Sequence, residues 1–448
     1  MKAHPKAPAI VTGIVLIFLT GPRPGAGQEA PATRLEALLE IARTGSPEIR
    51  AAAQAVEAAR ARARAAGLLP DPMLGIGLVN ALVSDPLSTE DFMTMRMIQV
   101  GQRMPYPGQL DLEREAARWE LAAAKAERER VELDVVASVQ RAYYEIFFLD
   151  RSLEIVRDNR SLLGDFLSVT EARYGVGTGG QQDVLKAQVE QSRLGDEVLA
   201  LEERREASLA ELNALLARPS RAPLGEPSIP DRIVAAALTE PGREIRFTAA
   251  ALGSEPDGGP IPDLEALQRR AEASNPMLRA HAARIASQRA QAELAGMAGL
   301  PDFDLSVGYG QRGGREDMIT AMVSVPVPIF KGKKQDALAA AERSELANLE
   351  SRHHAMVNDI HAEVAELHAS LVRARDQLAL LREGILPQAR ASLESAVAGY
   401  PVASVDFLTL IDNQATLFRH EVDYYRLLSG FAQDLTALER VIGGEVLR

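Results

Sequence analysis

The spacing of apolar residues sets the plan of the chain. Val135, Val139, Ala142, Ile146, Leu149, Leu153, Val156, Leu163 and Leu167 recur at alternating spacings of four and three, with Arg160 alone breaking the series. Val357, Ile360, Val364, Leu367, Leu371, Ala374, Leu378, Leu381 and Ile385 repeat the pattern. Such spacing specifies helices packed along a continuous stripe, as in a coiled coil. A helix over residues 108–174 would run about 100 Å at about 1.5 Å per residue. Pro387 should bend the second long helix near its far end.

Other stretches have a period of two. Phe303, Leu305, Val307 and Tyr309 alternate with Asp304, Ser306 and Gly308; Ile319, Ala321, Val323 and Val325 alternate with Thr320, Met322 and Ser324. Upstream, Met93, Met95 and Met97 alternate with Thr94 and Arg96, which puts the methionines on the lipid side. One face suits lipid and the other water, as in the wall of a membrane barrel. A small soluble sheet capping a helical bundle would show the same alternation. Four strands, two per half of the chain, cannot close a barrel, and open edges are not tolerated in a bilayer. If these strands enter a membrane, several chains share one barrel.

The halves are two copies of one plan. Leu35, Glu36, Ala37, Leu38, Ala42, Pro47, Arg50 and Ala51 reappear at one constant offset as Leu264, Glu265, Ala266, Leu267, Ala271, Pro276, Arg279 and Ala280. LPDPMLGIGL is echoed by LPDFDLSVGY, MPYPG by VPVPI, and RYGVGTGGQQDVLKAQ by GYPVASVDFLTLIDNQ. Each copy therefore reads helix, strand pair, Pro-marked corner, very long helix, turn, returning helix. The expected division is 28–217 for the first copy and 263–448 for the second. Residues 218–262, rich in Pro and Gly, form a linker or a small irregular piece.

Residues 1–27 read as an export signal. Lys2 and Lys6 precede the apolar run AIVTGIVLIFL, which is too short to span a bilayer, and Gly25, Ala26 and Gly27 supply a cleavage site. A retained anchor helix is the alternative. The 448 residues contain no Cys, so neither a disulfide nor a lipid-bearing Cys is available. A net charge of −12 argues against nucleic acid as a partner. Trp119, the one tryptophan, cannot make an aromatic girdle.

Candidate chemistry is sparse. Gly175, Gly177 and Gly180 have the G-x-G-x-x-G spacing of a dinucleotide-binding turn. Such a turn must follow a buried strand, and here a long helix precedes it. His354, His361 and His368 recur every seven residues beside His353. Successive members lie about 10 Å apart along a helix, so an ion site needs a His or carboxylate from another helix. Flanking positions of a coiled coil are the ordinary account. Glu127-Arg128-Glu129-Arg130 and Glu202-Glu203-Arg204-Arg205 are helix-supporting pairs. No nucleotide, zinc-protease or serine-hydrolase motif is present, so no enzyme and no cofactor is expected.

With its duplicated plan, the corner QRMPYPGQL and the two tips RYGVGTGGQQDVL and GYPVASVDFLTLIDNQATLF, nearly the whole chain resembles the TolC-type outer-membrane efflux proteins. The resemblance implies a mainly α chain with a small β part, forming a homotrimer. Its twelve strands make one barrel in outer-membrane lipid and its helices a periplasmic tunnel. It implies a passive exit duct fed by a periplasmic adaptor and an inner-membrane pump, proton-driven and of RND type. The tail from Val405 resembles the heavy-metal branch of the family, which points to metal cations as cargo.

The glycines Gly175, Gly177, Gly179 and Gly180 would then serve a tight helix reversal, and the adaptor would dock on Gly175, Val176, Gly177 and Thr178 and on Pro401, Val402, Ala403 and Ser404. Asp183, Tyr400 and Asp412 match positions that hold the aperture shut in the family. The expected basic partner falls on Val405, a second acidic position on Thr409 and the tip glycine on Ala403, so the closing contacts should be rewired. A periplasmic coiled-coil adaptor or a non-channel scaffold is the rival reading. An adaptor would show a single hairpin flanked by small β-domains.

Overall fold

The computed structural model describes residues 34–83, 91, 93–238, 261–402 and 404–447. The export-signal stretch, residues 239–260 and Ala403 lie outside them. In the first copy α1 (Leu35–Gly45) and α2 (Pro47–Ala65) lead to β1 (Met73–Val79) and β2 (Met95–Met104), followed by α3 (Gln109–Gly175) and α4 (Gln181–Leu215). After α5 (Asp231–Leu238) the order repeats. It runs through α6 (Leu264–Ser274), α7 (Pro276–Met297), β3 (Phe303–Gln311), β4 (Met318–Ser324), α8 (Gln335–Leu380), α9 (Leu386–Gly399) and α10 (Phe407–Ile442).

Both copies break their first helix with the same device. Ser46 accepts from the Ile49 N–H at 3.5 Å and Asn275 from the Leu278 N–H at 3.0 Å, each followed by Pro at the first helical position. A residue before Pro prefers extended backbone, which is what an N-cap needs. Asn275 also donates to the Val441 carbonyl at 2.8 Å, which ties the break to α10.

The predicted long helix is continuous over 67 residues in α3. Its buried stripe follows the expected apolar positions to Leu163 and then slips by one residue, so Phe166 and Thr170 are buried and Leu167 is half-buried. A straight helix drifts about 20° per heptad against a seven-residue repeat. One turn before the slip Arg160 is exposed, and beside it Asn159 accepts from the Gln414 amide at 2.7 Å. In the second copy the disturbance ahead of Pro387 is a π-turn, Leu381–Ile385, between α8 and α9. Pro387 gives no N–H to the Glu383 carbonyl and its ring crowds that group, and a widened turn accommodates both.

Two apolar clusters run along the helices. One gathers Leu38, Tyr144, Leu267, Leu371 and Phe431, and the other follows the far half of α3 against α4, α9 and α10. The described part of residues 218–262 is packed. Ile229, Ile233, Ala236 and Ala237 join the first cluster, and the Ser228 N–H donates to the Tyr143 hydroxyl at 3.0 Å.

The four strands form one antiparallel sheet in the order β1-β2-β3-β4, so pairing of β2 with β3 joins the copies. Its register aligns Ile76, Ile98, Tyr309 and Ile319 in one row and Leu74, Val100, Val307 and Ala321 in another. That face is apolar yet open, with Ile76 and Ile319 each 78% exposed. The opposite face carries Gln99, Ser306 and Thr320 and also Met95 and Met97. A Cβ on Gly310 would meet Met95 Sδ at 2.6 Å, and one on Gly308 would meet Met97 Sδ at 3.2 Å. The expected lipid-side placement of these methionines is therefore corrected, and Met93 lies ahead of the strand. Both phases of β2 carry apolar residues, and a one-residue choice of phase exchanges the faces. No helix among the described residues is long and apolar enough to cross a membrane.

Candidate functional site

The two helix reversals lie side by side at the end of the helical body away from the sheet. At the first, the Val176 N–H bonds back to the Ala172 carbonyl, and those of Thr178 and Gly179 bond to the Arg173 carbonyl at 2.9 and 3.0 Å. This closes the open end of α3 as in a Schellman-type cap. Gly177 takes φ +79°, a left-handed value that L side chains resist. A Cβ on Gly179 would crowd the Arg173 Cβ and the Tyr174 N at 3.1 Å. Gly175 and Gly180 have neither constraint. The glycine spacing is thus that of a turn between two helices, with two of its four glycines sterically required.

The second reversal uses side chains. Ser404 donates from its Oγ and its N–H to the Gly399 carbonyl, at 3.0 and 3.1 Å. Asp406 accepts from the Thr409 N–H at 2.7 Å and caps α10. The Thr409 N–H and then the Thr409 hydroxyl, with smaller help from the Leu408 N–H and Lys186, hold the Asp406 carboxyl below its usual range.

Tyr400 joins the two tips. It is 4% exposed, its hydroxyl lies 3.1 Å from Thr170 Oγ1, and its ring packs on Phe407 at 5.8 Å. The Arg173 guanidinium sits over the ring at 4.6 Å and donates to the Tyr400 carbonyl. Within the chain, the cation beside Tyr400 comes from Arg173 of the first tip, and Val405 stands at the second-tip position where a basic residue was expected. Arg173 stands in the quoted tip sequence but in the other copy, so a match made within one tip passes over it.

Asp183 and Asp412 do not meet Tyr400 within the chain. Asp183 is half-buried in the first turn of α4, where a negative charge is favoured by the helix dipole. Asp412 is exposed on α10. Neither has an ion pair within the described residues. Of the expected docking residues, Val176 and Val402 are each 74% exposed, and Thr178, Pro401 and Ser404 are also exposed. Thr178 locks its own turn by donating to the Arg173 carbonyl at 3.2 Å. Among the described residues no group of three or more His, Cys, Asp or Glu side chains could hold a metal ion.

The Outer membrane efflux protein family matches residues 38–218 and 267–444, one segment in each copy. The chain belongs to that family. It is similar to the pyoverdine export outer membrane protein OpmQ of Pseudomonas putida, at 26% identity over 92% of this chain and 86% of the relative. The cobalt-zinc-cadmium resistance protein CzcC of Cupriavidus metallidurans is 24% identical over 96% of this chain and 93% of its own. The solved structure of VceC from Vibrio cholerae superposes with a TM-score of 0.75, over 92% of this chain and 96% of that one, at 19% identity. Members of the outer membrane efflux family are transport proteins, and this chain is an outer-membrane channel with a periplasmic helical extension. The two hairpins and four strands match that plan and set aside a single-hairpin adaptor.

Proposed function

We propose that this chain is the exit duct of a tripartite export assembly. Three copies pool their sheets into a twelve-stranded barrel in outer-membrane lipid, and their helices form the tunnel beneath it. The observation that carries the reading is the sheet. Its outer strands β1 and β4 pair on one side only within the chain, and its exposed face is apolar. Such a sheet is not stable in lipid until its edges are closed.

At the opposite end, a periplasmic adaptor docks on Gly175, Val176, Gly177 and Thr178 of the first tip and on Pro401, Val402, Ala403 and Ser404 of the second, with Gly177 shaping the turn. An inner-membrane pump, proton-driven and of RND type, supplies the energy. Tyr400 keeps the tips together, and Asp183 and Asp412, without an ion pair among the described residues, are left for contacts between chains around the aperture. Docking opens the helices outward, and conduction is passive.

Metal cations are the favoured cargo. The likeness to a cobalt-zinc-cadmium resistance protein and the charge of −12 support this. Growth of a deletion strain on graded copper, zinc, cadmium and cobalt, beside lipophilic drugs and bile salts, tests it. Sensitivity to metals alone, restored by the intact gene, supports the reading. Sensitivity to drugs alone removes the metal assignment and leaves the duct.

A further inference from the structure

The corner from strand to long helix is built twice, and the second copy is longer than the passage requires. In the first copy Gly108 alone stands between Pro107 and α3, which begins at Gln109. In the second, IFKGKK (residues 329–334) stands between Pro328 and α8, which begins at Gln335. The added residues place two chemistries side by side. Val327, Ile329 and Phe330 are 75%, 77% and 64% exposed. They follow directly on β4, whose residues Ile319, Ala321 and Val323 lie on the open apolar face of the sheet. Lys331, Lys333 and Lys334 come next, all exposed and none in an ion pair among the described residues.

The lysines are presented by a fixed turn. The Lys331 N–H donates to the Pro328 carbonyl at 3.2 Å, and those of Lys333 and Lys334 donate to the Phe330 carbonyl at 3.0 and 2.9 Å. The Lys331 stem lies over Gly299, where a Cβ would meet its Cε at 2.7 Å. Asp336, in the first turn of α8, offsets one of the three charges. Asp302 of the neighbouring corner accepts from the Tyr106 N–H at 3.2 Å. The corner therefore keeps a net positive charge beside an apolar rim.

Such an order of side chains suits a boundary between membrane and water. Apolar groups enter the edge of the acyl region, and lysines reach back to the head groups. The corner stands where the sheet ends and the periplasmic helices begin, which is the inner surface of the outer membrane. Unpaired lysines there favour head groups with a net negative charge over zwitterionic ones.

We propose that residues 327–334 form a docking surface for anionic phospholipid of the periplasmic leaflet. Lys331, Lys333 and Lys334 hold the phosphate, and Ile329 and Phe330 sit among the acyl chains. The inference rests on the sheet lying in the outer membrane, and it adds the lipid that the corner selects.

The test is native mass spectrometry of the full-length protein in detergent, titrated with dioleoyl phosphatidylglycerol or dioleoyl phosphatidylethanolamine. The expected result is tighter retention of phosphatidylglycerol. Lys331→Gln/Lys333→Gln/Lys334→Gln should weaken that binding at least about tenfold and leave phosphatidylethanolamine unchanged. Ile329→Ser/Phe330→Ser should weaken both lipids, and Lys125→Gln on α3 should behave as wild type. Excess glycerol phosphate should not displace the lipid, because it lacks the acyl part. Conductance in planar bilayers is measured on the same samples. A triple variant that conducts and still prefers phosphatidylglycerol as wild type does, or displacement by glycerol phosphate, would overturn the site and leave the duct standing. Failure of the wild type to conduct would instead remove the duct itself, and the site with it.

Discussion

Tyr174 and Tyr400 occupy the same place in the two copies of the sequence and opposite environments in the fold. Tyr174 is 49% exposed, whereas Tyr400 is buried beneath Arg173 and against Phe407 and Thr170. The residue before each explains the difference. In the first copy it is Arg173, whose long side chain crosses to the second tip. In the second it is Gly399, where a Cβ would strike Ser404 Oγ and Val405 Cγ2 at 2.7 Å. The same tyrosine stands in both copies, and the residue before it differs, Arg173 in one and Gly399 in the other, with Tyr174 exposed and Tyr400 locked beneath that arginine. The locking contact therefore runs between copies.

The largest expected effect breaks that asymmetry directly. Tyr400→Ala removes a buried ring and should cost about 3–5 kcal/mol of local stability, while Tyr174→Ala should stay within about 0.5 kcal/mol. Hydrogen exchange of the tip amides reads both. Tyr400→Phe loses only the hydroxyl contact to Thr170, about 1 kcal/mol. Equal effects at Tyr174 and Tyr400 would refute the asymmetry. If the lock also holds the aperture, Tyr400→Ala should raise single-channel conductance in planar bilayers, and Tyr174→Ala should not.

Arg173→Ala is next in size. It removes a ring–cation contact and a charged hydrogen bond to a carbonyl, together about 1–3 kcal/mol. Exchange should quicken in the second tip, around Tyr400, more than around Arg173 itself. Arg173→Lys keeps the charge without the planar fork and should fall between the two.

The first tip's glycines sharpen the comparison further. Gly177→Ala places a Cβ at φ +79° and should cost about 1–2 kcal/mol. Gly175→Ala, at the end of α3 with open space around it, should be neutral or stabilising by about 0.5–1 kcal/mol. Thermal unfolding of the two variants separates a turn requirement from a mere glycine-rich composition. A penalty at Gly175 equal to that at Gly177 would contradict the assigned turn.

Local periodicity made the large elements legible. The four-three spacing located α3 and α8, the duplication located both tips, and β3 and β4 fell on the predicted faces. What escaped were choices settled by partners distant in sequence. Met95, Met97, Ile98 and Val100 give β2 apolar residues in both phases, so only pairing with β3 decides which face is outward. Tyr400 was singled out within its own tip, but its cation comes from Arg173 in the other copy. The α8 histidines could be placed on a helix, yet Glu272 and His281 face them only once α6 and α7 pack. Pro387 announced a disturbance, but its form as a π-turn depends on the ladder around it.

The smallest expected effect concerns a second pair of equivalent positions, Asn213 and Glu439, near the ends of the returning helices. Each side chain catches the loop that follows its helix. Asn213 donates to the Ser220 and Ala222 carbonyls at 3.1 and 2.9 Å, and Glu439 accepts from the Val446 N–H at 3.0 Å. The amide is neutral at every pH, but the acid is not. Burial pushes the Glu439 carboxyl above its ordinary value of 4.5, partly offset by the Val446 N–H and by Arg232 and Arg270, with Glu445 pushing the other way. The folded chain thus holds this proton more tightly than the unfolded chain. Its stabilising contribution is complete below about pH 4.5 and is lost as pH rises through the folded pKa. Glu439→Gln keeps an acceptor for Val446 and removes the titration. Its thermal midpoint relative to wild type should therefore rise from pH 4.5 to pH 7. The control Asn213→Asp, which turns a donor into an acid facing two carbonyls, should become less stable over the same range. A flat difference for Glu439→Gln would mean that burial does not decide this carboxyl, and that the two helix ends are equivalent in charge as well as in place.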